Sequence, residues 1–296
     1  MDVRNLEGSI VALVTPFNED GSVNFDQLER LLEFHVENGT DGILVLGTTG
    51  ESATMTDEED ASVVKFAVER VAGRVPVIAG SGSNCTGESL RKSLELQKLG
   101  VDGLLIISPY YNKSNEEGMY HHLADVMDVV NVPCILYNIP GRTGCKISVH
   151  NVERLSKHPN AWGIKEASGD ISYAASIAHC LSDEFRMMSG NDDMIVPLMS
   201  LGAVGVISVW ADIAPATVHD MCEKFLAGDV AGARKIQIDN LELIHSLFCE
   251  VNPIPVKAAL AKMGLIDEYY RKPLWPMADG TRERLYAAME GAGLLD

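Results

Sequence analysis

Ala161-Trp162-Gly163-Ile164-Lys165-Glu166-Ala167-Ser168-Gly169-Asp170 reads as a short buried strand, 161–164, that ends on a lysine and breaks into a small-residue loop. Similar runs rich in Val, Ile and Leu recur along the first two thirds of the chain. They place further strands at 9–14, 42–46, 75–79, 103–107, 134–137, 185–188 and 205–208. Most alternate too little for a half-exposed antiparallel sheet and suit a parallel sheet covered on both faces. Helical patterns fill the gaps. Residues 26–38 set Leu28, Leu31, Leu32 and His35 on one stripe, and 56–71 opens on Thr56 with Glu59 three positions on, the spacing of a capping box. Residues 87–99 and 116–130 repeat the theme. Successive strands lie roughly 33 residues apart at first and roughly 20 later, the length of a βαβ unit with its loops. Eight strands alternating with helices predict an α/β fold of the closed (β/α)8, or TIM-barrel, kind rather than an open doubly wound sheet. The first strand runs into Thr15-Pro16-Phe17 and not into Gly-x-Gly-x-x-Gly, which disfavours a dinucleotide fold. From about Pro215 the pattern becomes consecutive helices, at 216–226, 230–249, 255–263 and 280–292. One closes the barrel and about three remain. The expected organisation is a barrel carrying the active site over 1–228 and a C-terminal helical appendage over 229–296.

Bulk properties narrow the function. The 296 residues are 46% hydrophobic and 22% charged, enough to bury a large core. A net charge of −18 argues against nucleic acid and anionic membranes, both polyanions. No apolar run approaches the roughly 20 residues of a membrane helix, and the first residues lack the basic-then-apolar pattern of a secretion signal. The six cysteines contain no CxxC pair, and several fall in apolar segments, so they read as free thiols of a reducing cytoplasm. The eight histidines show no metal-ligand spacing and there is no Gly-x-Ser-x-Gly elbow, so neither a metal nor a serine triad is expected.

In such a barrel the chemistry gathers at the C-terminal ends of the strands. Lys165 there can be a nucleophilic amine that forms a Schiff base with a carbonyl, or it can snorkel to water. Gly47-Thr48-Thr49-Gly50-Glu51-Ser52 turns tightly and presents hydroxyls and amides, as a helix N-cap turn also would. Tyr110-Tyr111-Asn112-Lys113 and Tyr137-Asn138 bring phenols to neighbouring strand ends. Arg142, in Pro140-Gly141-Arg142-Thr143-Gly144, offers a fork to a carboxylate or to a structural acid. Gly190 and Ile207 stand at the ends of the last two strands, without Lys or Arg to make a phosphate site, which tells against a phosphosugar isomerase. Together these groups suit a keto acid held as an imine, with hydroxyls relaying protons and an arginine holding a second acid. A free lysine near pKa ~10.4 is only about 0.04% unprotonated at pH 7, so burial beside Arg142 gains up to roughly a thousandfold in reactive amine.

Val14-Thr15-Pro16-Phe17, the Gly47–Ser52 and Tyr110–Lys113 runs, Tyr137 through Gly144, Gly163-Ile164-Lys165-Glu166-Ala167 and Asn252-Pro253-Ile254-Pro255-Val256-Lys257 together resemble the pyruvate-dependent Schiff-base lyases, the family that includes N-acetylneuraminate lyase. The likeness covers nearly the whole chain. The paired threonines, Arg142 and the Asn252–Lys257 run favour its branch that starts the diaminopimelate route to lysine. The resemblance implies condensation of pyruvate with L-aspartate 4-semialdehyde to 4-hydroxy-tetrahydrodipicolinate, without a cofactor beyond the imine that pyruvate forms on Lys165. It implies a proton relay of Tyr137, Thr48 and Tyr111, the last entering from a neighbouring subunit. Thr49 and the Ile207 backbone would hold pyruvate, Gly190 would line the site, and Arg142 would bind the semialdehyde carboxylate. It further implies a homotetramer of two tight dimers, and lysine inhibition at a site of Ser52, Ala53, Asn84, Glu88 and Tyr110. Asp57 and Asp60 replace histidines found there in some inhibited members, and Ser114 replaces a proline after Lys113, which loosens the Tyr111 loop. Two rivals are a sugar-acid aldolase of the same barrel and a non-catalytic keto-acid or amino-acid sensor. Arg142 disfavours the first, and the concentration of lysine, phenols and threonine disfavours the second.

Overall fold

Strands buried on both faces need a cover on each side, and closing the sheet on itself supplies the inner one. The computed structural model describes residues 3–295. Its eight parallel strands are β1 (Gly8–Ala12), β2 (Gly42–Val45), β3 (Val77–Gly80), β4 (Gly103–Ile107), β5 (Cys134–Asn138), β6 (Ala161–Glu166), β7 (Arg186–Ser189) and β8 (Ala203–Ser208). They pair in chain order, and β8 returns to β1 through Gly8 opposite Gly205 and Ile10 opposite Ile207. Ile10, Leu44, Ile78, Leu105, Ile135, Trp162, Met188 and Ile207 fill the interior, so the barrel is a packed core and not a pore.

Around it lie α1 (Phe25–Glu37), α2 (Asp57–Val71), α3 (Thr86–Gln97), α4 (Glu116–Val129), the single turn α5 (Pro140–Thr143), α6 (Val149–Leu155), α7 (Ile171–Ile177), α8 (Ile195–Met199) and α9 (Pro215–Leu226). The Thr56 capping box is present: the Glu59 amide donates to Thr56 Oγ1 at 3.2 Å, and the Thr56 amide to Glu59 Oε2 at 2.9 Å. The chain then adds α10 (Val230–Asp239), α11 (Leu241–Ser246), α12 (Ile254–Lys262) and α13 (Asp279–Gly291). The single helix expected at 230–249 is in fact two. Asn240 stops the first by turning its side-chain amide onto the Ile236 carbonyl at 2.9 Å, and four helices, not three, follow α9. They are not remote from the barrel mouth: α11 packs on the 3-10 turn Asp192–Met194 after β7, and α12 on Trp210–Asp212 after β8. No helix among the described residues is long and apolar enough to cross a membrane.

The sixth strand also differs from expectation. It runs to Glu166, so Lys165 lies within it rather than at its end. The cause is pairing on both sides, with Lys165 opposite Tyr137 of β5 and Met188 of β7. The β5–β6 register slips between Cys134 and Ile135, leaving Trp162 as the extra residue. Strand side chains alternate with period two, so residues 162 and 165 would otherwise face opposite ways. The bulge lets Trp162 fill the barrel base while Lys165 still points inward.

Candidate active site

Tyr137 and Lys165 are cross-strand neighbours facing the barrel interior, with the lysine Nζ 4.6 Å from the centre of the phenol ring. The next pair, Asn138 and Glu166, faces outward and fixes that register. Asn138 Nδ2 donates to Glu166 Oε2 at 2.7 Å, the Ser168 amide donates to Glu166 Oε1 at 2.7 Å, and the Ile147 amide donates to Asn138 Oδ1 at 3.1 Å. Each inward group is thus held by an outward one on the same strand.

Both inward groups are 6% exposed or less. Burial pulls the Lys165 ammonium down to a pKa of about 8; Arg142 pulls the same way and Asp192 opposes. Burial pushes the Tyr137 phenol up to about 12, with the Arg142 charge and a hydrogen bond from Thr48 opposing. At neutral pH the pair is therefore a phenol that keeps its proton beside an amine that gives one up readily. That is the state required for nucleophilic attack followed by proton relay.

The two groups open into a cavity of about 230 Å³. Thr48, Thr49, Arg142, Gly190, Asn191, Phe248 and Asn252 also line it. Among the described residues Arg142 and Lys165 are the only charged ones on its wall, so the cavity favours anions such as carboxylates. Thr48 and Thr49 follow Leu46, whose φ is +57°, and precede Glu51, whose φ is +56°. Two left-handed residues curl the chain back over the barrel mouth. The Asn252 side-chain amide donates to Thr49 Oγ1 at 2.9 Å, and Arg142 Nη2 donates to the Asn252 carbonyl at 3.1 Å. Asn252 Oδ1 is buried and has no partner among the described residues. Sequence reasoning assigned Asn252 no role, although it heads one of the motifs; only its place before a proline marked it. Gly190 is required by space. A Cβ there would come within 2.6 Å of Ala167 Cβ and 3.1 Å of Lys165 Cε.

Other expected residues lie elsewhere. Ile207 packs inside the barrel opposite Ile10, and Val209 reaches the cavity wall instead. Tyr111 is 91% exposed, outside the cavity, at a φ of +68°. Its loop is held locally, with Ser114 Oγ donating to the Asn115 carbonyl at 2.9 Å. A second cavity, of about 300 Å³, opens where α2 and α3 face the β2 end, lined by Ser52, Ala53, Glu88 and Tyr110 together with Asp57, Asp60, Arg91 and Lys92. It shares Gly47, Thr48, Leu105 and Tyr137 with the first. Asn84 is off its wall, its carbonyl taking the Asn112 side-chain amide at 3.0 Å. Lys92 pairs with the buried Asp60 at 2.6 Å, and Arg91 with Asp57 at 2.7 Å and Glu88 at 2.6 Å. Among the described residues no three His, Cys, Asp or Glu side chains gather to hold a metal.

A family model described as the dihydrodipicolinate synthetase family matches residues 5–292. The 4-hydroxy-tetrahydrodipicolinate synthase of Thermoanaerobacter sp. (strain X514) is 48% identical over 290 residues, 98% of this chain and 97% of its own. The solved dihydrodipicolinate synthase of Acinetobacter baumannii, complexed with pyruvate, has a TM-score of 0.96 and 43% identity, covering 98% of this chain and 100% of that one. That of Cyanidioschyzon merolae, with lysine bound, has a TM-score of 0.95 and 39% identity, covering 98% of this chain and 99% of that one.

Proposed function

The chain belongs to the dihydrodipicolinate synthetase family, and from that premise we infer that its cavity joins pyruvate to L-aspartate 4-semialdehyde, giving 4-hydroxy-tetrahydrodipicolinate for lysine and diaminopimelate biosynthesis. It is a Schiff-base lyase. The observation that supports the residue assignments is the buried Lys165 amine in register with the Tyr137 phenol. Lys165 attacks the pyruvate keto carbon, water leaves, and the iminium makes the methyl protons acidic. Tyr137, hydrogen-bonded to Thr48, carries those protons. The enamine attacks the aldehyde, and the semialdehyde amine then displaces Lys165 and closes the ring. No external cofactor takes part, because the imine is the electron sink.

Thr49 holds the pyruvate carboxylate, the β8 end reaches the cavity through Val209 rather than Ile207, Gly190 leaves room for the lysine stem, and Arg142 takes the second carboxylate. Tyr111 completes the relay of a neighbouring copy in a homotetramer built as a dimer of dimers, a role that its exposure leaves open to it. The second cavity is the lysine site, with Ser52, Ala53, Glu88 and Tyr110 on its wall and Asn84 beside it. Its shared walls at Thr48 and Tyr137 give a bound amino acid a route to the relay. Activity unchanged at millimolar lysine refutes that assignment. The cytoplasm, where pyruvate is abundant, is the expected compartment.

Borohydride reduction in the presence of pyruvate, with the modified peptide mapped by mass spectrometry, tests the central reading. The expected result is a pyruvate adduct on Lys165 and none in Lys165→Ala. An adduct that survives in the variant, or none in folded wild-type protein, overturns the mechanism.

A further inference from the structure

Among the described residues the wall of the catalytic cavity carries positive charge and no carboxylate, yet its chemistry keeps a cation on Lys165 throughout imine formation. When the Lys165 ammonium and pyruvate become an iminium, one carbon–nitrogen double bond forms and the keto oxygen leaves as water. The ammonium supplies both hydrogens of that water, and one positive charge stays on nitrogen. That charge sits where burial makes any charge costly. Behind the wall lies one acid placed to answer it. Asp192, 2% exposed, follows Gly190 and Asn191, which line the cavity, and a Cβ on Gly190 would come within 3.1 Å of Lys165 Cε. Its Oδ2 accepts the amides of Val209 at 3.1 Å and Trp210 at 2.9 Å, and Val209 is also a wall residue. Its Oδ1 is buried without a partner among the described residues. Its backbone is clamped from α10, where Gln237 Nε2 donates to the Asp192 carbonyl at 2.8 Å and Gln237 Oε1 accepts the Val196 amide at 3.3 Å.

We propose that Asp192 is the fixed counter-anion of the Lys165 ammonium and of the iminium that replaces it, a positioning residue for charge that never touches substrate. Burial raises the Asp192 carboxyl, while the Ser208 hydroxyl, the two β8-end amides and the Lys165 charge pull the other way, toward the anion. Tyr137 on β5 lies beside Lys165, and among the described residues the charges that act on its amine are Asp192 after β7, which favours the ammonium, and Arg142 on α5, which opposes it. The groups facing Asp192 are Lys165, Asp212 and Cys222. Asp212 is a second buried acid, with the Val14 amide on Oδ1 at 3.1 Å and Oδ2 unpartnered. Burial raises its carboxyl well above the ordinary value; the Val14 amide opposes and the Asp192 charge adds to the rise. The inference rests on Lys165 as the Schiff-base nucleophile.

The test traps the pyruvate imine with cyanoborohydride across pH and maps it in wild type, Asp192→Asn and Asp212→Asn, each shown to be folded. Asparagine at 192 still accepts both amides but carries no charge. Its acid limb is expected to move to lower pH by about one unit, because the amine loses its counter-charge, while Asp212→Asn leaves the limb in place. An unmoved or alkaline-shifted limb in Asp192→Asn, or an equal shift in Asp212→Asn, overturns the proposal. If Asp192→Asn does not fold, wild type decides by calorimetry near pH 7 in buffers of differing ionisation enthalpy. Little proton uptake on pyruvate binding supports a stored ammonium, whereas uptake near one proton means a neutral amine and no counter-anion. Absence of any Lys165 adduct in wild type instead removes the functional reading itself.

Discussion

Lys257→Met probes the most deeply buried charge pair beside the site. Lys257 and Glu51 have side chains 0% and 2% exposed and form an ion pair. Lys257 also donates to the Tyr269 carbonyl at 3.0 Å, and Glu51 Oε2 accepts the Arg271 amide at 3.3 Å. The Lys257 ammonium and the Arg271 guanidinium lie 4.4 and 4.3 Å from the centre of the same Phe17 ring. Removing one partner of a buried pair strands the other and costs about 3–5 kcal/mol. Unfolding entropy of roughly 2.1 cal/mol/K per residue over 296 residues is about 620 cal/mol/K, so a loss of about 4 kcal/mol lowers Tm by about 6 °C. Glu51→Gln keeps an acceptor for the Arg271 amide and removes the charge, and is expected to cost a similar amount. The double variant leaves no stranded charge, and its loss falls short of the sum of the singles by at least about 2 kcal/mol. Glu51 also ends the Thr48–Thr49 turn in a left-handed conformation that the pair helps to hold, so kcat in either single variant drops by roughly 10- to 100-fold. Calorimetric melting of the four proteins and their turnover with saturating substrates are the assays. Additive losses, with the double variant about 12 °C below wild type, refute the view that the pair acts as a unit.

Three further outcomes follow from the site. Tyr137→Phe keeps the ring that shields Lys165 but loses the relay, so kcat falls by about 10²- to 10⁴-fold while the pyruvate adduct still forms; near-normal turnover excludes the relay. Gly190→Ala drives a methyl group into Ala167 and the lysine stem, and slows adduct formation at least about tenfold, which a wild-type rate of trapping contradicts. With Lys165 near pKa 8, the reactive free amine grows from about 10% at pH 7 to about half at pH 8, so the rate of adduct formation rises with pH and levels above 8–9. A rate still climbing tenfold per unit at pH 10 means that the lysine is not buried as described.

The residues that were legible in the sequence share one property: their chemistry is carried by local pattern. Short apolar runs spaced by helices suffice for the barrel, because parallel pairing buries both faces of every strand and erases alternation. A lysine, two tyrosines and paired threonines at strand ends were visible because strand ends are where barrels place function. What was not legible depends on partners far along the chain. Asn252 matters through Thr49 and Arg142, 203 and 110 positions away, and Glu51 through Lys257, 206 positions away. Asp192 carries no mark of its own, since nothing in Asn191-Asp192-Asp193 tells which carboxylate goes inward and meets the β8-end amides.

The bulge at Trp162 is the sharpest instance. A strand read as 161–164 by composition contains no instruction for how 162 and 165 share a face, and an uninterrupted period of two forbids it. The slip between Cys134 and Ile135 resolves the conflict and puts Ile135 opposite Gly163. Gly163 is the one feature of the sequence that admits it, because any Cβ there would collide with the Arg186 backbone of β7. Gly163→Ala therefore acts at a distance. The strand must give way, Lys165 turns relative to Tyr137, and imine trapping falls by at least about tenfold, although residue 163 touches no substrate. Trapping at the wild-type rate in a folded Gly163→Ala protein shows that the lysine is aimed by something other than the bulge.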